Sequence, residues 1–109
     1  MVATIKSYFD FKKAYEKRKT FGNRNLTLYV RKNNLEYSRI GITVSKKIGK
    51  AVVRNKIRRR MKEIYREFEQ DIAKGYDLVF VVKKNVPDIS FIELKSAFRH
   101  ILKVSKLMG

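Results

Sequence analysis

Val44-Ser-Lys-Lys-Ile-Gly-Lys-Ala-Val-Val-Arg-Asn-Lys-Ile-Arg-Arg-Arg-Met-Lys-Glu-Ile-Tyr-Arg66 is the stretch around which the rest of this 109-residue chain is organised. Its apolar residues Val53, Ile57, Met61 and Ile64, with Phe68 just beyond, recur at steps of four, four, three and four, which is one stripe of a 3.6-residue helix. Asn55, Arg59, Lys62 and Arg66 lie opposite that stripe, with Arg54 and Arg58 along one edge and Lys56 and Arg60 along the other. From Lys50 to Arg66 there are eight Lys or Arg and one acid, Glu63, a net charge of +7. A run of charge on a helix is usually a solvated face, but such faces mix their signs. Here Arg54, Arg58, Lys62 and Arg66 follow one another at i,i+4 and repel by roughly 0.2–0.5 kcal/mol per pair. A helix that needed only solubility would carry Glu among them. The pattern predicts a helix packed on the core by one side and offering the other to a polyanion.

The remainder of the chain agrees. Lys and Arg number 27 against 10 Asp and Glu, giving +17 and a pI near 10.3, the signature of nucleic-acid binding when the cations cluster. Apolar residues make up 44%, enough for one modest core, so residues 1–109 are expected to form a single nucleic-acid-binding domain (an RNA-binding one, by the family resemblance given below) and not a disordered basic tail. There is no cysteine, which excludes disulfides, cysteine-ligated zinc and thiol chemistry. No lipidation signal, export-type leader or apolar run of membrane-spanning length is visible, so the expected location is the cytoplasm, without membrane attachment.

In chain order, Ser7 is expected to cap a first helix, with Phe11, Ala14 and Tyr15 on one face and Lys12, Lys13, Lys17, Arg18 and Lys19 over the rest, stopped by Gly22 and Asn23. Leu26-Thr-Leu-Tyr-Val30 and Arg39-Ile-Gly-Ile-Thr-Val44 alternate as strands, and the Asn33-Asn34 turn predicts that they pair as an antiparallel hairpin. Each strand has one apolar face; the other carries Thr27, Tyr29, Gly41 and Thr43. A tyrosine among small residues suits flat bases and equally suits a ring tucked under a helix. Gly49 allows a close backbone approach to a neighbour or a phosphate at the start of the basic helix. Tyr76-Asp-Leu-Val-Phe-Val-Val82 reads as a buried central strand. Ser90 and Glu93 form a capping box for a last helix with Leu94, Phe98, Ile101 and Leu102 as its stripe, and Ile89 and Leu94 as a hydrophobic staple. The expected order is α-β-β-α-β-α, an α+β or α/β arrangement of helices on a small sheet.

The acids do not suggest an active site. Glu67 and Asp71 are placed to meet at i,i+4, but near a helix end they are expected to be solvated charges. The single histidine, His100, has no evident acidic or nucleophilic partner for acid–base work. The chain reads as a binder.

Ser45-Lys-Lys-Ile-Gly-Lys-Ala-Val-Val-Arg-Asn-Lys-Ile-Arg-Arg resembles the signature of the bacterial ribonuclease P protein component, named for an Arg-Asn-Arg triplet in its basic helix. Asp10-Phe11 with Tyr15, Asn23-Arg24, Leu28-Tyr29-Val30, Arg39 to Ser45 and Asp77 to Val82 extend the resemblance over nearly the whole chain. One departure is plain: the triplet reads Arg54-Asn55-Lys56, and lysine keeps the charge but loses the bidentate fork. The resemblance implies a protein subunit without a catalytic centre, whose large ribonuclease P RNA uses Mg²⁺ to hydrolyse precursor tRNA and release its 5′ leader. It implies contact with that RNA through Lys46, Lys47, Lys50, Arg54, Asn55, Lys56, Arg58, Arg59 and Lys62. It places the single-stranded leader between the first helix and the sheet, at Phe11, Tyr15 and Tyr29. No protein metal site and no protein partner are expected. The family also implies a left-handed β-α-β crossover at the basic helix, against the usual right-handed rule. A ribosomal protein or a general RNA chaperone shares the composition but not the signature. A self-sufficient nuclease would need clustered carboxylates.

Overall fold

The computed structural model describes residues 3–5 and 19–109. Leu78-Val-Phe-Val-Val82 is apolar on both sides of the pleat, so it needs cover above and below and a hydrogen-bonded neighbour on each flank. It receives both neighbours. We number the strands β1 (Lys19–Gly22), β2 (Leu26–Lys32), β3 (Arg39–Thr43) and β4 (Tyr76–Val82), and the helices α1 (Ala51–Phe68) and α2 (Phe91–Val104). The sheet order is β1-β2-β4-β3.

The expected hairpin between residues 26–30 and 39–44 is therefore corrected, because β4 lies between those two segments. Antiparallel β2 sets Leu28 opposite Phe80, and parallel β3 sets Ile42 opposite Phe80. The hairpin in this sheet is β1–β2, with Phe21 opposite Leu28; Lys19, assigned from sequence to the first helix, opens β1. The reason lies in the loop after β2. Buried Asn33 accepts the Leu35 N–H through Oδ1 at 2.8 Å and donates through Nδ2 to the Tyr37 carbonyl at 3.2 Å and to Asp77 Oδ1 at 2.9 Å. Its own N–H donates to the Gly75 carbonyl at 2.9 Å. The loop is thus tied across the start of β4 instead of folding back on β2. Gly75 is confined to glycine there: its φ is +91°, and an added Cβ would lie 3.3 Å from the Leu35 carbonyl oxygen. Ser7, Phe11 and Tyr15, and with them the expected first helix, lie outside the described residues. Ile5 donates to the Ile40 carbonyl at 2.9 Å, and Ile40 donates to Ala3 at 3.0 Å, so residues 3–5 continue the sheet beyond β3.

Both helices pack on the same side of the sheet. Ile57, Met61, Ile64 and Phe68 of the predicted α1 stripe are buried, Val53 is half-buried, and Tyr65 joins them. Burial, and secondarily Glu69, push the Tyr65 phenol up to about 12, so it stays protonated in neutral solution. Leu94, Ala97, Phe98, Ile101 and Leu102 complete the layer from α2. Phe98 is its centre, with ring centroids 4.3 Å from Phe80, 6.3 Å from Phe68 and 6.5 Å from Tyr65. Ser90 Oγ accepts the Glu93 N–H at 3.1 Å, capping α2 as its sequence foretold.

The register brings Arg31, Asp77 and Arg39 into one row across β2, β4 and β3. Asp77 has no exposed surface. Arg39 donates to it through Nε at 2.9 Å and Nη2 at 2.7 Å, and Arg31 Nη1 stands 3.7 Å away. A buried carboxylate held by a fork and an amide pins the strand register, and removing it strands two cations. Asp77→Ala is expected to lower unfolding stability by about 3 kcal/mol in denaturant titration. A loss below about 1 kcal/mol would mean the row is no stronger than a surface pair.

Candidate nucleic-acid interface

The geometry of α1 follows from its stripe. With Ile57, Met61, Ile64 and Phe68 fixed in the core, Asn55, Arg59, Lys62 and Arg66 have to face outward, and all four are exposed. The flanking residues divide as their angles require: Arg54, Arg58 and Arg60 are half-buried, whereas Lys56 is exposed. Among the described residues, no cation from Lys46 to Arg66 takes part in an ion pair; the pairs there are Arg31 and Arg39 with Asp77, and Lys95 with Glu67. Among the described residues, no acid therefore pairs with the charge of this face.

Local contacts orient part of it. Arg54 Nε donates to the Gly49 carbonyl at 3.2 Å. Arg58 Nη1 donates to Asn55 Oδ1 at 3.1 Å, and its Nη2 lies 3.5 Å from the Val44 carbonyl. These arginines lean back over the segment leaving β3, where Lys46 and Lys47 sit exposed in a single 3₁₀ turn, Lys46–Ile48. Lys50 occupies the N-cap of α1 without a side-chain cap, and no acid stands in the first turn. The positive end of the helix dipole thus coincides with fixed positive charge, an arrangement that favours an anionic ligand. The close approach at Gly49 is to a neighbour: an added Cβ would lie 3.3 Å from Val53 Cβ and Cγ1.

Topology adds cations that the one-dimensional pattern did not single out. Parallel β3 and β4 end on the same edge of the sheet, and the β1–β2 turn returns there, since Leu26 pairs with Val82. Exposed Arg24, Lys83 and Lys84 therefore share the sheet end from which Lys46 and Lys47 emerge. Lys83 Nζ donates to the Asn23 carbonyl, which fixes it against the turn. Arg60 was also not among the predicted contact residues; its guanidinium carbon lies 5.8 Å from the Phe91 ring centroid. The signal for Arg24, Lys83 and Lys84 is strand order, which is not legible without the register.

The far side of the sheet carries the other candidate. Although β2 and β3 do not pair, the register still sets Thr20, Tyr29, Val79 and Gly41 in one row and Thr27, Val81 and Thr43 in the next. Tyr29 is half-buried and packs with Ile5 and Val79. Phe11 and Tyr15, its predicted companions, lie outside the described residues. Among the described residues, no three His, Cys, Asp or Glu come close enough to hold a metal ion, and no helix is long and apolar enough to cross a membrane. His100 is exposed, with Nδ1 3.3 Å from Asn23 Nδ2, and Glu67 pairs with Lys95 across the two helices and not with Asp71.

Comparison with known proteins agrees over the whole length. The Ribonuclease P family model matches residues 2–106. The ribonuclease P protein component of Alkaliphilus metalliredigens is 41% identical over 105 residues, covering 96% of this chain and 95% of that protein. That of Clostridioides difficile is 41% identical over 100 residues, covering 91% and 88%. The Staphylococcus aureus RNase P protein superposes with a TM-score of 0.92 at 30% identity, covering 100% of both chains. The Thermotoga maritima RNase P protein gives 0.87 at 31%, covering 97% of this chain and 98% of that one.

The like charge repeated along α1 has a measurable cost in the free protein. Lys62→Glu replaces repulsions with Arg58, Arg59 and Arg66 by attractions, and is expected to raise stability by about 1 kcal/mol at low ionic strength. The gain should fade as salt is added to thermal unfolding. A destabilised variant, or a gain indifferent to salt, would contradict this account of the helix.

Proposed function

The chain belongs to the ribonuclease P protein family and is a protein subunit of that tRNA-processing nuclease, and we propose that it is the RNA-binding, non-catalytic part. In this reading the catalyst is the ribonuclease P RNA, with Mg²⁺ held by RNA, and the substrate is precursor tRNA. The observation that carries the proposal is the outer face of α1, cationic along its length and without an ion pair among the described residues. Family membership decides against a ribosomal protein or a general RNA chaperone.

Each named side chain then has a task. Lys46, Lys47 and Lys50 meet phosphates ahead of the helix, and Arg54, Lys56, Arg58, Arg59 and Lys62 meet them along it. Arginine forks fix geometry, while Lys56 contributes a point charge where the family triplet has arginine. Asn55 orients Arg58 through its 3.1 Å hydrogen bond. Neutralising phosphates lowers the repulsion between two RNAs, so association should weaken steeply with salt, log K falling by about 0.7–0.9 per contact per unit of log salt. On the opposite face of the sheet, Tyr29, with Phe11 and Tyr15, would stack leader bases. Stacking tolerates any base, which suits leaders of differing sequence.

Arg54→Ala and Arg59→Ala are each expected to weaken binding to ribonuclease P RNA and to reduce the salt slope by about one contact, measured by filter binding over a salt series. Unchanged affinity and slope in both variants would remove α1 from the interface. Tyr29→Ala is expected to weaken precursor tRNA about tenfold relative to mature tRNA in the holoenzyme. An equal loss for both substrates would rule out a leader contact at Tyr29.

A further inference from the structure

The basic helix borders an apolar groove that phosphate binding leaves unused. It lies between the N-terminal half of α1, the turn Val86–Asp88 and the start of α2, and encloses about 310 Å³. Val53, Ile57, Val86, Pro87, Ile89 and Leu94 form its walls. Val52 stands at its lip, 79% exposed, the large apolar side chain that this helix turns to solvent. Lys56 and Arg60 are the polar side chains that line it. Asp88 and Glu93 are near in sequence, but neither lines the groove.

Three features select an occupant. The volume is at the lower limit for a ligand pocket, room for one flat ring system and too small for a helix or several peptide residues. The rim is cationic and without a carboxylate, so the occupant carries negative charge beside an apolar body. The groove adjoins the face already read as binding RNA. A nucleotide combines an apolar ring face with a phosphate on either side.

We propose that this groove receives a single unstacked nucleobase of the RNA bound along α1, with Lys56 and Arg60 against its flanking phosphates. The proposal rests on the RNA-binding reading of α1. Arg60 is held for the task by its contact with the Phe91 ring, 5.8 Å from the centroid. Because the lining offers no hydrogen-bonding side chain besides those two cations, the site distinguishes bases weakly and favours a purine on contact area.

The direct test is methyl NMR of the intact chain titrated with an adenosine ribopentamer and with an abasic pentamer of equal charge. The pentamer with bases should shift the methyls of Val52, Val53, Ile57 and Leu94, and should bind about tenfold more tightly than the abasic one. The abasic strand should disturb only the surroundings of the cations. Identical shifts from both strands would overturn the proposal while leaving α1 as a phosphate-binding face. Methyl shifts that follow protein concentration without RNA would overturn it in favour of a second copy of the chain. If neither strand perturbs α1, the RNA-binding reading itself fails. A paired substitution checks the full RNA: Val52→Asn should weaken ribonuclease P RNA severalfold without changing the salt slope. Ile92→Asn, equally exposed but outside the groove, should not. Equal effects of the two would contradict the assignment.

Discussion

A strand that is apolar on both faces has one tolerable position in a small sheet. Leu78, Phe80 and Val82 of β4 turn toward the helices, and Val79, with no exposed surface, turns away from them. Such a strand must be central, paired on both flanks and covered on both sides. Its position separates β2 from β3, forces β3 to reach it in parallel through a helical crossover, and thereby suspends α1 across the sheet. The Arg31–Asp77–Arg39 row fixes the register of that arrangement at one end. The consequence for function is that both candidate RNA-facing surfaces are defined by β4: one on the helix that enters it, the other on the sheet face opposite.

Stability and binding draw on the same helix in opposite senses. The stripe ending at Phe68 anchors α1 against Phe98, while the outer face stores repulsion that the fold alone does not relieve. Repeated like charge, an N-cap lysine and the absence of acid in the first turn all raise the free energy of the unbound state slightly, and a polyanion lowers it. The charge is therefore best understood from the complex and not from the free protein. Apolar Val52 at the lip of the adjoining groove presents the same puzzle in uncharged form.

Much of this is legible in the sequence. The helical stripe, its cationic opposite face, the buried central strand and the Ser90 cap are local patterns with one period or one hydrogen bond behind them. The face shared by Thr27, Tyr29, Gly41 and Thr43 was also readable, because alternation fixes it whatever the partner strand. What failed was pairing. Asn33-Asn34 looks like a hairpin turn, yet the side chain of Asn33 spends its hydrogen bonds on Asp77 and on the loop itself, information that belongs to residue 77 and not to the turn. β1 was hidden because Lys19 and Thr20 follow a cationic helical pattern without a break. Arg24, Lys83 and Lys84 join the surface only through strand order, which no spacing in the chain reveals.

The central claim is that this chain supplies binding and an RNA supplies catalysis. The measurement that tests the claim most directly is cleavage of 5′-labelled precursor tRNA at low Mg²⁺ by the protein, by a bacterial ribonuclease P RNA, and by both together. The account predicts efficient release of the leader at the mature 5′ end only when the two are combined. Cleavage at that position by the protein alone, or no gain from adding it to the RNA, would contradict it.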